Sequence, residues 1–236
     1  MGSTRFPGKP MALVRGRPMV EQTYRAAMKA KLLDRVIVAS DSQKIVRHIE
    51  GIGGHAALTG ECATGTDRVT EAFSGLSEQE RLKYDVVVNI QGDEPGINPD
   101  HVDLLVDALR QDPRCVLSTL ATRLVDERDG QSRDVVKCVV DVNSHALYFS
   151  RALIPHSKTG HFASQHVPYL RHVGVYAYRR DFLAEYSSLP QCPLELAEDL
   201  EQLRVLHAGH KIKVVPVDST LPGIDTVADL DAFNAQ

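Results

Sequence analysis

Short β-branched runs alternating with amphipathic segments constrain this chain most, because that rhythm suits a parallel sheet covered by crossover helices. The clearest run is Asp85-Val86-Val87-Val88-Asn89-Ile90, short and apolar enough for a buried strand. It leads directly into the polar loop Gln91-Gly92-Asp93-Glu94-Pro95. Upstream, Val20, Tyr24, Ala27 and Met28 fall at helical spacing between Pro18 and Leu33, and a second β-branched run follows from Arg35 to Ser40. Asp41 stands where it would cap the next helix, through Ile45, Val46 and Ile49. Glycines 51, 53 and 54 then close that helix before Ala56-Ala57-Leu58 offers another strand. A further helix is expected near Pro99 to Leu109. Ligands of such sheets sit beyond the carboxyl ends of the strands, so the acidic loop after Ile90 is the first place to look for chemistry.

From Cys115 onward the pattern changes to alternating strands at Val136 to Asp141, Ala146 to Phe149 and Val173 to Tyr178, which predicts a mixed or antiparallel extension. Helical spacing returns from Leu194 to Ala208, then a strand from Lys211 to Val217, and Gly223-Ile224-Asp225-Thr226 opens a last helix. The fold class is therefore α/β. No repeat or low-complexity linker divides the 236 residues, so the expectation is one domain, 1–236, with a substrate or dimer subregion near 130–180. With 27 basic and 31 acidic residues, a formal charge of −4 and no basic run, the chain is poorly suited to nonspecific nucleic-acid binding. Cys62, Cys115, Cys138 and Cys192 form no C-x-x-C pair, which argues against a zinc knuckle or disulfide scaffold. No apolar stretch reaches the roughly 18 residues of a membrane span, and Met1 to Pro10 lacks a signal-peptide core.

Several groups carry potential chemistry. Ser3-Thr4-Arg5-Phe6-Pro7-Gly8-Lys9-Pro10 gathers two cations, two hydroxyls and a glycine in one short loop, which suits a triphosphate as well as it suits a solvated tail. Asp93 and Asp225 each stand at an element end. If they converge they can hold Mg²⁺, which needs only one or two carboxylates beside substrate phosphates; taken singly, one is a turn residue and the other a helix cap. Thr64-Gly65-Thr66-Asp67-Arg68 is a hydroxyl-rich turn into a helix, open to a base edge or an anion, although capping alone explains most of it. Arg151, His172, Glu201 and Gln202 sit beside strongly apolar neighbours; the ordinary reading makes His172 a structural histidine and Glu201 with Arg204 a solvated helix pair.

Taken in order, these segments resemble the 3-deoxy-manno-octulosonate cytidylyltransferases, the CMP-Kdo synthetases, over essentially the full length. The resemblance is carried by Ser3 to Pro10, Thr64 to Arg68, Asn89 to Pro95, Val136-Lys137, Ala146 to Arg151, Arg171 to Gly174, Leu200 to Leu206 and Gly223 to Thr226. It implies a nucleotide-diphospho-sugar transferase fold, Rossmann-like, with a mixed sheet and helices on both faces. It also implies CTP and Kdo as substrates, Mg²⁺ as cofactor and a homodimer. Lys9 and Arg5 would hold the triphosphate; Thr64, Gly65 and Arg68 would line the cytidine pocket; Asp93 and Asp225 would ligate metal, with Lys9 beside them in the catalytic set. Gln91, Arg151, His172, Tyr176, Glu201 and Gln202 would orient Kdo, Arg151 pairing with its carboxylate. Thr64 replaces the serine common in the family and keeps its hydroxyl.

One departure stands out. The resembled family begins with an apolar strand and a Pro-Ala-Arg turn before the residues equivalent to Ser3-Thr4-Arg5, and the numbered chain starts after them. The first central strand would then be missing between Val36–Ala39 and Asp85–Ile90, leaving unpaired backbone on both neighbours, poor stability and reduced or absent activity. Two rivals follow: a related cytidylyltransferase acting on another sugar acid such as sialic acid, and a noncatalytic nucleotide-binding form. Cytoplasmic location is the default, with organellar delivery left open, and the product would feed bacterial lipopolysaccharide or plant pectin.

Overall fold

The structure, a computed structural model, describes residues 6, 8–158, 162, 168–221 and 223–235. After a 3-10 turn at Lys9–Met11 come β1 (Leu13–Val14), β2 (Arg17–Pro18), α1 (Met19–Ala27), β3 (Ile37–Ser40), α2 (Gln43–Gly51), β4 (His55–Leu58), α3 (Gly65–Ser74), α4 (Glu78–Arg81), β5 (Val86–Asn89) and α5 (Pro99–Gln111). The second half contains β6 (Cys115–Arg123), α6 (Glu127–Gln131), β7 (Lys137–Val140), β8 (Ala146–Ser150), β9 (Leu170–Arg179), α7 (Arg180–Tyr186), α8 (Pro193–Glu198), α9 (Gln202–His207), β10 (Lys211–Val217) and α10 (Val227–Asn234). Among the described residues no helix is long and apolar enough to cross a membrane.

The chain forms two compact units. The first comprises residues 1–85, 89–103 and 220–236, and the second residues 86–88 and 104–219. In the first, β3 and β4 pair in parallel from Ile37 opposite His55 to Ser40 opposite Leu58, with α2 as the crossover between them. Val20, Ile45 and Ile49 form one core here, and Val14, Met19, Ile224 and Phe233 another. The helix expected from Pro18 ends earlier, at Ala27, because the backbone amides of Lys31 and Leu32 donate to the Asp103 carboxylate at 3.0 and 2.8 Å. Asp41 does not cap α2, whose N-cap is Ser42; it pairs with Arg68 instead.

The second unit holds a six-stranded mixed sheet in the order β10, β6, β9, β7, β8, with β5 also paired to β9. β10 runs parallel to β6, while β9 runs antiparallel to both β6 and β7. The expected Val173 to Tyr178 strand extends over Leu170–Arg179. The helical stretch expected from Leu194 to Ala208 is two helices, parted where Asp199 takes a left-handed conformation at φ 53°. Arg204, expected to pair with Glu201 in solvent, turns inward to a buried ion pair with Glu195, Nε to Oε2 at 2.9 Å. Asp112, Cys115 and His145 also meet in this unit, with the Asp112 carboxylate held by Arg114 and by His145 Nε2 at 2.7 Å. Those bonds, Arg114 first, keep that carboxyl far below the usual range.

β3 pairs only with β4, and β5 only with β9, among the described residues. Their apolar side chains, Ile37, Val38 and Ala39 in one and Val86, Val87 and Val88 in the other, are half-buried rather than enclosed.

Candidate active site

In the first unit three remote segments meet at one ammonium. Gly8, in the left-handed region at φ 73° where glycine carries no penalty, turns the chain into the 3-10 helix and sends Lys9 inward. Lys9 Nζ donates to Asp93 Oδ2 at 2.6 Å and to Asp225 Oδ1 at 2.8 Å. Asp93 belongs to the loop after β5, which Thr23 of α1 holds by donating to the Gly92 carbonyl at 3.1 Å. Asp225 precedes α10, whose first turn is fixed by a capping box between Thr226 and Asp229. The two loops are joined directly, Ile224 N donating to the Asp93 carbonyl at 3.0 Å. Burial works against the Lys9 charge, but the two carboxylates outweigh it and hold its pKa above the ordinary value.

The donor set fits a divalent cation. Two carboxylates converge on one cationic group, at 2.6 and 2.8 Å, and one or two carboxylates beside substrate phosphates are what Mg²⁺ requires. One is a third exposed and the other two thirds, so the metal's water ligands have room.

The cytidine segment predicted from sequence is in the same unit. Thr64 caps α3, its Oγ1 accepting from Asp67 N at 3.1 Å. Arg68 donates through Nη2 to Asp41 Oδ2 at 2.8 Å and through Nη1 to Thr59. Its guanidinium is therefore held in place before any ligand arrives. Gln91 lies against Gly65, where a Cβ would stand 3.0 Å from its amide, so a larger residue there would push the Gln91 side chain aside by a few tenths of an ångström. Arg5, with Ser3 and Thr4, lies outside the described residues.

The remaining predicted contacts belong to the second unit. Arg151 follows β8 and donates to three main-chain carbonyls: Nε to Glu198 at 2.7 Å, Nη1 to Arg133 at 3.1 Å and Nη2 to Asp199 at 3.1 Å. The Asp199 carboxylate also stands 3.6 Å from Nη2, so an incoming acid would compete with it for the two N–H donors that the carbonyls leave. Its main chain is fixed as well, because Lys137, wholly buried on β7, donates to the carbonyls of Arg151, Val135 and Ser132 at 2.6, 2.6 and 2.8 Å. Desolvation lowers the Lys137 pKa. Sequence reading placed Lys137 in a matching segment but gave it no role, since nothing in the spacing shows which carbonyls surround it.

His172 and Tyr176 lie on β9 with ring centroids 5.5 Å apart, although four extended residues would span roughly 13 Å. A register shift brings them together: Tyr176 faces Thr119 and Val173 faces the next residue, Leu120, so Gly174 and Val175 have no partner on β6. Tyr176 Oη donates to Gln202 Oε1 at 3.3 Å, and Gln202 Nε2 is buried with no hydrogen-bond partner among the described residues. Glu201 accepts from Tyr186 Oη at 3.5 Å. Burial pushes His172 down to about 3, so its imidazole is neutral. The second unit thus contains a cation, a neutral imidazole and an unsatisfied amide donor, groups of the kind a hydroxylated acid would need.

Residues 1–212 match the family model described as cytidylyltransferase. The chain is 46% identical to the 3-deoxy-manno-octulosonate cytidylyltransferase of Protochlamydia amoebophila over 97% of its own length and 88% of the relative's. It is 44% identical to the mitochondrial enzyme of that name from Arabidopsis thaliana, covering 99% of this chain and 79% of that one. A solved CMP:2-keto-3-deoxy-manno-octonic acid synthetase complexed with CTP superposes with a TM-score of 0.91 at 38% identity, covering 99% of this chain and 93% of the other. A 4-diphosphocytidyl-2C-methyl-D-erythritol synthase from Anaerococcus prevotii shares the fold at a TM-score of 0.64 with 16% identity. The chain belongs to the 3-deoxy-manno-octulosonate branch of the cytidylyltransferase family.

Proposed function

We propose that this protein activates Kdo, converting CTP and 3-deoxy-D-manno-octulosonate to CMP-Kdo and diphosphate. The convergence of Asp93 and Asp225 on Lys9 is the observation that supports it most directly. The anomeric 2-hydroxyl oxygen of Kdo attacks the α-phosphorus of CTP in line, the bond to the α,β-bridging oxygen breaks, and diphosphate departs with that electron pair. The hydroxyl proton leaves to solvent water. No covalent enzyme intermediate is required, so positioning and charge neutralisation supply most of the acceleration.

Each residue then has a distinct task. Lys9 exchanges its carboxylate partners for the triphosphate oxygens. Asp93 and Asp225, once released, would hold Mg²⁺, which when bound supplies positive charge to the phosphoryl oxygens. Thr64, Gly65 and Arg68 would receive the cytidine, Arg68 being held by Asp41 and Thr59. Arg151 would turn its remaining N–H donors from Asp199 to the Kdo carboxylate, and His172, Tyr176, Glu201 and Gln202 would contact the hydroxyls of Kdo. Gln91, packed on Gly65, would help orient Kdo. A homodimer is the expected assembly.

The test is diphosphate release with CTP, Kdo and Mg²⁺, each omitted in turn. Release that needs all three supports the assignment. Release with sialic acid and not Kdo assigns the other sugar acid, and CTP binding without turnover under conditions that suit a relative assigns a noncatalytic binder.

A further inference from the structure

We propose that Thr119 is a positioning residue that fixes the His172 imidazole in one neutral tautomer, with the proton on Nε2 and the lone pair on Nδ1, so that the ring offers an acceptor to a substrate hydroxyl. The proposal rests on the reading of His172 as a sugar-acid contact given above. Thr119 is wholly buried on β6. Its Oγ1 lies 2.9 Å from His172 Nε2, 3.1 Å from the Val173 carbonyl and 2.9 Å from the Val175 carbonyl. A hydroxyl has one proton, and the two carbonyls can only accept. If that proton pointed at Nε2, the oxygen lone pairs would face both carbonyl oxygens at hydrogen-bond range, an unfavourable contact in a dry interior. With the proton on Nε2 the contacts are matched: Nε2–H donates to Oγ1, and the single Oγ1–H is shared between the two carbonyls. An imidazolium would also donate, but burial keeps His172 neutral at physiological pH.

The register shift supplies the acceptors. The looped-out Gly174 and Val175 leave the Val173 and Val175 carbonyls directed at the Thr119 hydroxyl, where a smooth ladder would not place both. The ring is also held laterally, with Phe149 packed edge-on at 5.0 Å and Tyr176 tilted at 5.5 Å between centroids. Nδ1 makes no hydrogen bond among the described residues. The same reasoning orients Gln202: Tyr176 donates to Oε1, leaving Nε2 as a free donor. The two side chains therefore offer one acceptor and one donor, a pair that two sugar hydroxyls would satisfy.

The experiment uses the full chain. Long-range proton–nitrogen spectra of ¹⁵N-labelled, ligand-free protein near neutral pH report which imidazole nitrogen of His172 carries the proton. Protonated Nε2 in the parent, retained in Thr119→Ser and lost or mixed in Thr119→Val, is the expected result. In turnover, Thr119→Val raises the KM for Kdo about tenfold, the worth of one hydrogen bond, and leaves the KM for CTP within about twofold, while Thr119→Ser behaves as the parent. A parent spectrum with the proton on Nδ1, or a folded Thr119→Val that keeps the Nε2–H form, overturns the proposal. If Thr119→Val does not fold, the parent and Thr119→Ser spectra decide it. A tautomer that shifts as expected with no change in the KM for Kdo upholds the role of Thr119 and overturns the placing of His172 in the sugar pocket.

Discussion

Lys9→Met removes a charge while keeping the chain length, and its effects on the two ligands of this site have opposite signs. In the free protein the Lys9 ammonium sits at 2.6 and 2.8 Å from the two carboxylates that a metal would need. Mg²⁺ arriving alone must displace it. Asp93 is a third exposed and Asp225 two thirds, so each contact is screened and worth roughly 0.5–1 kcal/mol. Removing both contacts therefore tightens binding of Mg²⁺ alone by about tenfold. The same change deprives the triphosphate of its cation and weakens CTP, measured with Mg²⁺ present, by about tenfold or more. Isothermal titration of the folded variant with Mg²⁺, then with CTP in excess Mg²⁺, reads both effects. Metal affinity unchanged or weakened in Lys9→Met would refute the reasoning, because the lysine would then not occupy the cation position.

Three further outcomes follow from the second unit and the cysteines. Lys137→Met strips three buried carbonyls of a charged donor; after allowing for the desolvation the ammonium no longer suffers, the loss is about 3 kcal/mol, and the thermal midpoint falls by about 6–12 °C. A midpoint unchanged in scanning calorimetry would contradict the bonding described. His172 is held near 3 in the fold against 6.5 unfolded, so unfolding takes up a proton and stability drops as pH falls below 6.5, by about 2 kcal/mol at pH 5; urea midpoints at the two pH values should show a smaller drop in His172→Asn, and equal drops would speak against a buried neutral ring. Cys62 is half-buried whereas Cys115, Cys138 and Cys192 are buried, and burial raises the thiols of Cys115 and Cys138 to about 11 and about 12. A disulfide reagent should thus modify Cys62 first, several-fold faster in Glu71→Gln, since burial and then the Glu71 carboxylate beside its sulfur keep that thiol protonated.

The sequence revealed those features whose cause is local. Asp85 to Ile90 reads as a strand because Val86, Val87 and Val88 have no polar interruption, and the Asp93 loop follows from it. The strand pattern from Cys115 onward does not give β6 its bounds, because Ser118, Thr119 and Thr122 interrupt the apolar pattern of Cys115–Arg123 and only the fold shows their partners, such as the Leu105 carbonyl for Ser118. The break at Asp199 also has a distant cause: Arg151 takes the carbonyls of Glu198 and Asp199, an outcome that helical spacing cannot contain. Lys9 lies 84 and 216 residues from its two partners, so family resemblance, not periodicity, brought the three together beforehand. Thr119 had no such signal, being one of several hydroxyls in an unremarkable stretch.

The fastening of Arg151 to residues 133, 198 and 199 bears on how the protein would discriminate among acids. A free guanidinium swivels to meet any anion, whereas one bolted along its edge presents a single plane and two fixed vectors. Selection between epimeric acids would then turn on the direction of approach, charge being equal. A lysine installed there would keep the attraction and forfeit the handedness.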